Sequence, residues 1–469
     1  MEKYLPDIGP EPLIKKTGMP CPVEELFLHF CDSPDAALLN SSLDTGGARY
    51  SFIGIEPFLA IKGRRNSLRI TFGGHELAVK KDPFEYLRSV TATYRVRNRT
   101  DLPFIAGGIG YFSYDLKDIL EKLPREAKDD LGLPDIYFVF YRALLIHDRL
   151  EPDSLYVSVL DTDTGKGDPP RRLMEKVTRI IKTAGRKPDL RTNGYRPEFT
   201  ADFTKADYIK AIEKIKEYIR GGDIYQACLS QRFRTEWPFD PYSLYLNLNR
   251  INPSPYSAYL NFGDSRIISS SPELFLKISG GSVETRPMKG TSPRGKNARE
   301  DGMLKKRLEQ SSKDAAELSM IVDLERNDLG KFCEPGSVKV DKHRVIEAYP
   351  TVFQTISIVK GERNAESDLV DAVKAVFPGG SITGCPKIRA MEIIDELEPT
   401  RRSVYTGSIG YMSFHDTMLL NIAIRTIIMK GKDVYFQTGS GIVADSDPEA
   451  EYRETLDKAK ALMESLGAN

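Results

Sequence analysis

A chain of 469 residues with 67 Lys+Arg against 67 Asp+Glu has no net charge, which excludes the overall basic field of a general nucleic-acid or anionic-membrane binder. Hydrophobic residues at 40% beside charged residues at 29% describe an ordinary soluble globular protein, long enough for two to three domains or one large elaborated fold. No apolar run reaches transmembrane length, MEKYLPDIGP lacks a signal-peptide core, and five scattered cysteines suit reduced thiols in a cytoplasm. Five histidines, none in an H-E-x-x-H arrangement, argue against a zinc site.

The first 160 residues alternate short apolar runs with turns, and RYSFIGIEPFLAIKG (49–63) and LPDIYFVFYRALLIHD (133–148) read as strands. RRLMEKVTRIIKTAG (171–185) reads as a helix. The charge, proline and turn formers of RKPDLRTNGYRPEFTADF then place a linker at 186–202, between an N-terminal domain (1–185) and a second domain (203–469). That second domain opens on an amphipathic helix, with Thr204 as N-cap, Ile209, Ile212, Ile215 and Ile219 on one face, and Gly221-Gly222 as the stop. Strands follow at 224–233, 266–270, 273–278, 417–429 and 433–439, interrupted by helices at about 313–327, 386–396 and 448–466. Strands separated by such long insertions predict an α+β fold, a large two-sheet sandwich with helices on the outside. GGIGYFSYD (107–115) and GSIGYMSFHD (407–416) share an I-G-Y-x-S core, a weak sign of duplication.

Four features could carry chemistry. In ETRPMKGTSPRG, Lys289 sits between a proline that stiffens the backbone and a glycine that lets it approach a neighbour, so it is either a surface lysine or a positioned amine. Asp314 and Glu317 lie three apart on one helix, as do Glu451 and Glu454 on another that begins at Asp447-Pro448. The two pairs are either solvated acids near helix starts or a converging oxygen set for a hard cation such as Mg²⁺. FPGGSITGCPK (377–387) and QTGSGIVADSD (437–447), the latter with Gly439 and Gly441, read as glycine-rich loops that either merely turn or present N–H groups to anions. Arg425, inside LLNIAIRTIIM, and Tyr405, before Thr406-Gly407, put polar groups among apolar ones; such an arginine needs a core salt bridge or a polar pocket.

Taken in order, GDIYQACLSQRF, NPSPYSAYL, SSSPELFL, TRPMKGTSPRG, KDAAELSMIVDLERNDLG, FPGGSITGCPKIRAMEIIDELEP, GSIGYMSF and TGSGIVADSDPEAEYRETLDKA make the second domain resemble the chorismate-utilising enzymes. LLNSSLDTGGARYSFIGIEP makes the first resemble the N-terminal domain of the anthranilate and aminodeoxychorismate synthases. The resemblance implies Mg²⁺-dependent chemistry on chorismate, with Glu317 and Glu454 as direct metal ligands and Asp314 and Glu451 acting through water. It places Gly290, Thr291, Gly439, Gly441 and Lys458 around the ring carboxylate, and Tyr405 and Arg425 at the enolpyruvyl carboxylate. Glu273 becomes the general acid for the departing C4 hydroxyl, a role that asks for a raised pKa.

Two positions separate the family's branches. Gln226 stands where water-using relatives carry a lysine base, which disfavours water addition. Lys289 stands where anthranilate synthases read P-I-A-G-T, and resembles the lysine of the aminodeoxychorismate synthases, which is implied to add at C2 so that ammonia then enters at C4. Desolvation and nearby cations such as Arg286 are expected to keep part of that amine neutral. No glutaminase segment is evident, so ammonia is expected from a separate glutamine amidotransferase subunit. Anthranilate synthase component I is the alternative, and a non-catalytic tryptophan-binding chain a more distant one. Departures are Phe353-Gln354 in place of a histidine common in relatives, Ser292 in place of arginine and Cys385 in place of alanine. The resemblance also implies a tryptophan pocket near LLNSS and NPSPYSAYL; with Asn40 where feedback-inhibited enzymes carry glutamate, no strong tryptophan inhibition is expected.

Overall fold

The computed structural model describes residues 5–43, 48–163, 167–185, 194–349 and 352–468. Residues 186–193 of the expected linker, 44–47 of LLNSSLDTGGARY and Thr351 of TVFQTISIVKG lie outside these. No helix among the described residues is long and apolar enough to cross a membrane.

Two antiparallel sheets share a pair of long strands. Tyr50–Arg64 and Ile136–Asp148 are paired along nearly their whole length, with a register shift between Pro57 and Leu59. Shifts of this kind bend a strand and sharpen its twist, and here the bend carries both strands from one sheet into the other. On one side of the bend the first sheet runs from Ala37–Asn40 through Tyr256–Phe262, Ser265–Ser271, Thr426–Lys430 and Asp433–Ile442 to Gln226–Glu236. On the other, the second sheet runs from Gly107–Phe112 through Ser408–Ser413, Met418–Asn421, Leu274–Ser279 and Ser282–Arg286 to Val352–Glu362. Aromatic rings lock the two together: Tyr137 lies 4.5 Å from Phe262, and Phe52 meets Tyr411 edge-on at 5.3 Å.

Helices cover the outer faces, as expected for a sandwich of this class. Pro170–Thr183, Pro241–Ile251 and Pro448–Ser465 bury Leu173, Leu244, Leu248 and Leu462 in one cluster over the first sheet. Ser312–Leu329 and Leu369–Val376 bury Leu318, Val322, Val370 and Val373 in the core of the second. Each such side chain contributes about 1.5–3 kcal/mol of burial. Lys205–Gly221 starts and stops where the sequence predicts: Thr204 accepts from the Asp207 N–H at 3.1 Å, and Gly222 ends the helix at φ 82°.

One predicted element divides. The apolar run 417–429 forms two strands, Met418–Asn421 in the second sheet and Thr426–Lys430 in the first. Between them Arg425 adopts φ 50°, a left-handed conformation that no strand can continue through, so the chain crosses between sheets at this arginine.

The two I-G-Y segments prove to be neighbours. Gly107–Phe112 pairs with Ser408–Ser413 so that Ile109 faces Tyr411, Gly110 faces Gly410 and Tyr111 faces Ile409. The repeated tripeptides are thus related by a local two-fold axis through the glycine pair.

Candidate active site

Lys289 belongs to the edge strand Met288–Pro293, whose pairing with Val352–Glu362 shifts register between Met288 and Thr291. Bulges re-aim side chains, and this one centres on Gly290 at φ 81°. A Cβ there would also stand 2.9 Å from Asp314 Cβ, so only glycine satisfies both the turn and the close approach of the Ser312–Leu329 helix. The lysine amine reaches the first sheet: a Cβ built on Gly441 would lie 3.4 Å from Lys289 Nζ and 2.4 Å from Gln226 Nε2. Gly439 and Gly441 are not in a loop, as the sequence suggested, but inside the strand Asp433–Ile442, where Gly441 pairs with Cys228. The bare glycine makes room for the Gln226 amide, with the Lys289 amine alongside. Thr291 follows on the same strand, opposite Gln354, with an exposed side chain.

Burial pushes the Lys289 ammonium towards neutrality, but Cys228, Glu317, Glu273 and Glu454 together hold it above its ordinary value. Arg286 does not act as expected, because its guanidinium is paired with Glu284 at 2.6 Å. The resting amine is therefore charged, and acids rather than cations surround it.

Glu273 is 4% exposed. It lies in the link between the strands Ser265–Ser271 and Leu274–Ser279, which runs beside residues 422–425: Ile422 N–H donates to Glu273 O at 3.0 Å, and Ser270 N–H to Arg425 O at 3.1 Å. Burial raises the Glu273 carboxyl to about 7, against opposing hydrogen bonds from the Ser381 hydroxyl and Met288 N–H and the charge of Lys289. A carboxylic acid of that strength keeps its proton near neutral pH and can hand it to a leaving group.

Arg425 donates to Asn252 Oδ1 at 3.1 Å and forms no salt bridge with any carboxylate among the described residues. Burial lowers its pKa, with Tyr349 opposing. A half-buried guanidinium without a carboxylate partner is costly, so the core-salt-bridge alternative fails and the polar-pocket alternative remains. Tyr405, on the turn that carries left-handed Thr406 (φ 59°), is buried, and burial raises its hydroxyl, with Arg402 opposing. Thr406 N–H donates to Ala423 O at 2.8 Å, which docks this turn onto the Arg425 crossing. Arg425→Ala is expected to raise KM for the anionic substrate about 100-fold with a smaller change in kcat, read by steady-state kinetics.

The two acid-bearing helices do converge. Lys313 Nζ lies 3.9 Å from Glu317 and 3.8 Å from Glu451, one on each helix. Glu451 is buried and accepts from Ser446 Oγ at 2.7 Å. Lys458 pairs with Glu454 at 2.7 Å and donates to Gly439 O at 2.9 Å. Burial raises Glu317 despite Lys289 and Lys313; burial also pushes Glu454 up, but Lys458, Lys289 and Lys313 together leave it lowered. Among the described residues no three acidic, His or Cys side chains close tightly on one point. The donor set is nonetheless all hard oxygen, and an ammonium already stands between two of its members, so the residues fit a divalent cation that keeps water and substrate oxygens as its other ligands.

A family profile described as chorismate binding enzyme matches residues 37–464. The chain belongs to that family. It is 40% identical over 425 residues to aminodeoxychorismate synthase component 1 of Bacillus subtilis, covering 90% of each chain. It is 39% identical over 458 residues to anthranilate synthase component 1 of Acetivibrio thermocellus, covering 94% of this chain and 92% of the relative. The crystal structure of anthranilate synthase component I from Streptococcus pneumoniae superposes with a TM-score of 0.79 at 33% identity, covering 90% of this chain and 93% of that one.

In this chorismate-binding enzyme a cavity of about 570 Å³, lined in part by Asn40, Ser41, Pro255, Tyr256 and Tyr411, occupies the region where the sequence placed a tryptophan pocket. Asn40 is committed elsewhere: its amide donates to Glu24 at 2.7 Å and Tyr245 at 3.1 Å and accepts from Ser51 at 2.9 Å. At the position where the resemblance implies a histidine, Phe353 lies under Arg294 at 4.7 Å, and the buried Gln354 carbonyl has no partner among the described residues.

Three residues escaped sequence reasoning. Ser381 bonds Glu273, and Asn252 accepts from Arg425. Glu325, buried beside Leu318 and Val322 on the helix's apolar stripe, accepts the Gly380 N–H at 3.2 Å and is raised to about 8 by burial. A charge falling on an apolar helix face was the available signal for Glu325; nothing in local spacing marks the other two.

Proposed function

We propose that this chain aminates chorismate at C4 with ammonia, giving 4-amino-4-deoxychorismate on the way to p-aminobenzoate and folate. Aminodeoxychorismate and anthranilate synthase components resemble it almost equally, at 40% and 39% identity, so overall similarity does not choose between products. The observation that supports the choice is Lys289: its amine comes up against the bare face of Gly441, which the Gln226 amide also approaches, and lies within electrostatic reach of Glu273.

In this reading Arg425 and Tyr405 hold the enolpyruvyl carboxylate, while Gly290, Thr291, Gly439, Gly441 and Lys458 surround the ring carboxylate. The neutral Lys289 amine forms a bond to C2, the two ring double bonds shift, and the C4–O bond breaks as Glu273 gives its proton to the departing hydroxyl, which leaves as water. Ammonia then bonds to C4, the double bonds shift back, and the C2–Nζ bond breaks. Glu317 and Glu454, with Asp314 and Glu451 behind them, would hold Mg²⁺. Bound there, the cation supplies positive charge to the ring carboxylate and offsets the acids that hold Lys289 charged. Gln226 is an amide with no basic function, in keeping with ammonia rather than water as the nucleophile. Ammonia would come from a separate glutamine amidotransferase subunit.

Product identification tests the reading. Chorismate, Mg²⁺ and ammonium, followed by an aminodeoxychorismate lyase, should yield p-aminobenzoate; fluorescent anthranilate in its place would establish the alternative. Glu317→Gln and Glu454→Gln should each lower turnover at least about 100-fold, with unchanged far-UV circular dichroism. Full activity in either variant would remove it from the metal site.

A further inference from the structure

Lys313 is an ammonium inside an acidic site. It stands in the first turn of the Ser312–Leu329 helix, three-residue neighbours Asp314 and Glu317 share its helix, and Glu451 faces it from the Pro448–Ser465 helix. Both of its contacts, 3.9 Å to Glu317 and 3.8 Å to Glu451, are ion pairs longer than a hydrogen bond. No hydrogen bond holds the Lys313 ammonium among the described residues, and its side chain is 56% exposed, so it has an open route to solvent. Lys458 differs: it is fixed by Glu454 at 2.7 Å and by Gly439 O.

The formal charges give this loose cation a purpose. Asp314, Glu317, Glu451 and Glu454 count four negative charges, and Lys289, Lys313 and Lys458 three positive ones, a balance of about one negative charge. Without Lys313 the balance would be two, which a single divalent cation neutralises. With it held in place a bound divalent cation would leave one positive charge in excess, so the ammonium and the metal compete for the same acids.

Resting on the metal site of the preceding section, we propose that Lys313 is a tethered counter-ion of the carboxylate cage: its ammonium stands where the divalent cation enters and swings into solvent when the metal binds. Lys313 thereby weakens metal binding to the substrate-free protein by competing for Glu317 and Glu451. Its place on an exposed first turn lets the side chain move without disturbing Leu318 and Val322 below it.

Titration of the full chain with Mn²⁺, followed by electron paramagnetic resonance of the free ion in the absence of substrate, tests this. Lys313→Met should bind Mn²⁺ about three- to tenfold more tightly than wild type, the scale of two partly exposed ion pairs at moderate ionic strength. Lys313→Arg, which keeps the charge, should bind as wild type does, and Glu317→Gln should bind at least about tenfold more weakly. Equal or weaker binding by Lys313→Met, with Glu317→Gln still impaired, overturns the counter-ion role and leaves the metal site standing. Equal tightening by Lys313→Arg and Lys313→Met overturns the charge argument. Binding by Glu317→Gln equal to wild type overturns the metal site, and the counter-ion with it.

Discussion

Lys289→Ala is expected to lose the para-aminated product by on the order of 10³-fold or more, the scale of removing a covalent nucleophile from a group that acts as a unit. The reason is regiochemical. Without the amine the only nucleophile that can reach C2 is ammonia, and ammonia at C2 gives the ortho product. The space vacated lies against the bare face of Gly441 and the Gln226 amide, so a small nucleophile has room there. Residual turnover should therefore be anthranilate-like, detected by fluorescence and by ¹⁵N incorporation from labelled ammonium. The variant also deletes a positive charge that acts on Glu273, Glu317 and Glu454, so Lys289→Arg serves as the control that keeps charge but not nucleophilicity. Lys289→Arg should lose the para product as completely as alanine. Wild-type para product from either variant would refute the covalent role.

Glu273→Gln is expected to lower turnover 10²- to 10⁴-fold, the usual range for a general acid. Its pH signature can be separated from other titrations. The reaction also needs neutral amine at Lys289 and neutral ammonia, both of which increase with pH, so the raw profile mixes three protonations. The ratio of wild-type to Glu273→Gln rates cancels the shared ones. Burial raises Glu273 from its ordinary 4.5 to about 7, so the acid holds its proton below that value and loses it above. The ratio should be flat below pH 7 and fall tenfold per pH unit beyond it. Ser381→Ala, which removes a hydrogen bond that favours the ionised form, should move the break to higher pH. A ratio flat from pH 6 to 9 would show that Glu273 is not the acid.

Local signals carried much of this far. The Thr204 cap, the glycine stop of its helix and the Asp447-Pro448 start were legible because capping is decided within four residues, and each is present in the structure. Motif order made the family legible over nearly the whole chain. What periodicity could not reveal was sheet membership. The run 417–429 is uniformly apolar because both of its halves are buried, yet each half is buried in a different sheet, and the break at Arg425 depends on a backbone angle that hydropathy does not encode. Gly439 and Gly441 looked like a loop because glycine is common in loops; their real constraints are tertiary, since a Cβ on Gly439 would stand 2.5 Å from Leu229 O and one on Gly441 2.4 Å from the Gln226 amide. The charge on Lys289 was misjudged for the same reason, since three of the groups that set it come from distant segments.

The two-fold contact between the I-G-Y segments has a consequence for biosynthesis. Gly107–Phe112 offers one edge to Ile136–Asp148, nearby in the chain, and the other to Ser408–Ser413, about 300 residues later. At the roughly 5–20 residues per second of translation, that second edge stays open for about 15–60 s on the ribosome. Open strand edges recruit other strands, and this one is entirely buried once folded, so it has none of the charged side chains that guard a permanent edge. The nascent chain is thus most vulnerable to aggregation in the interval before Ser408–Ser413 emerges, and a fragment ending at residue 185 would keep that vulnerability for good.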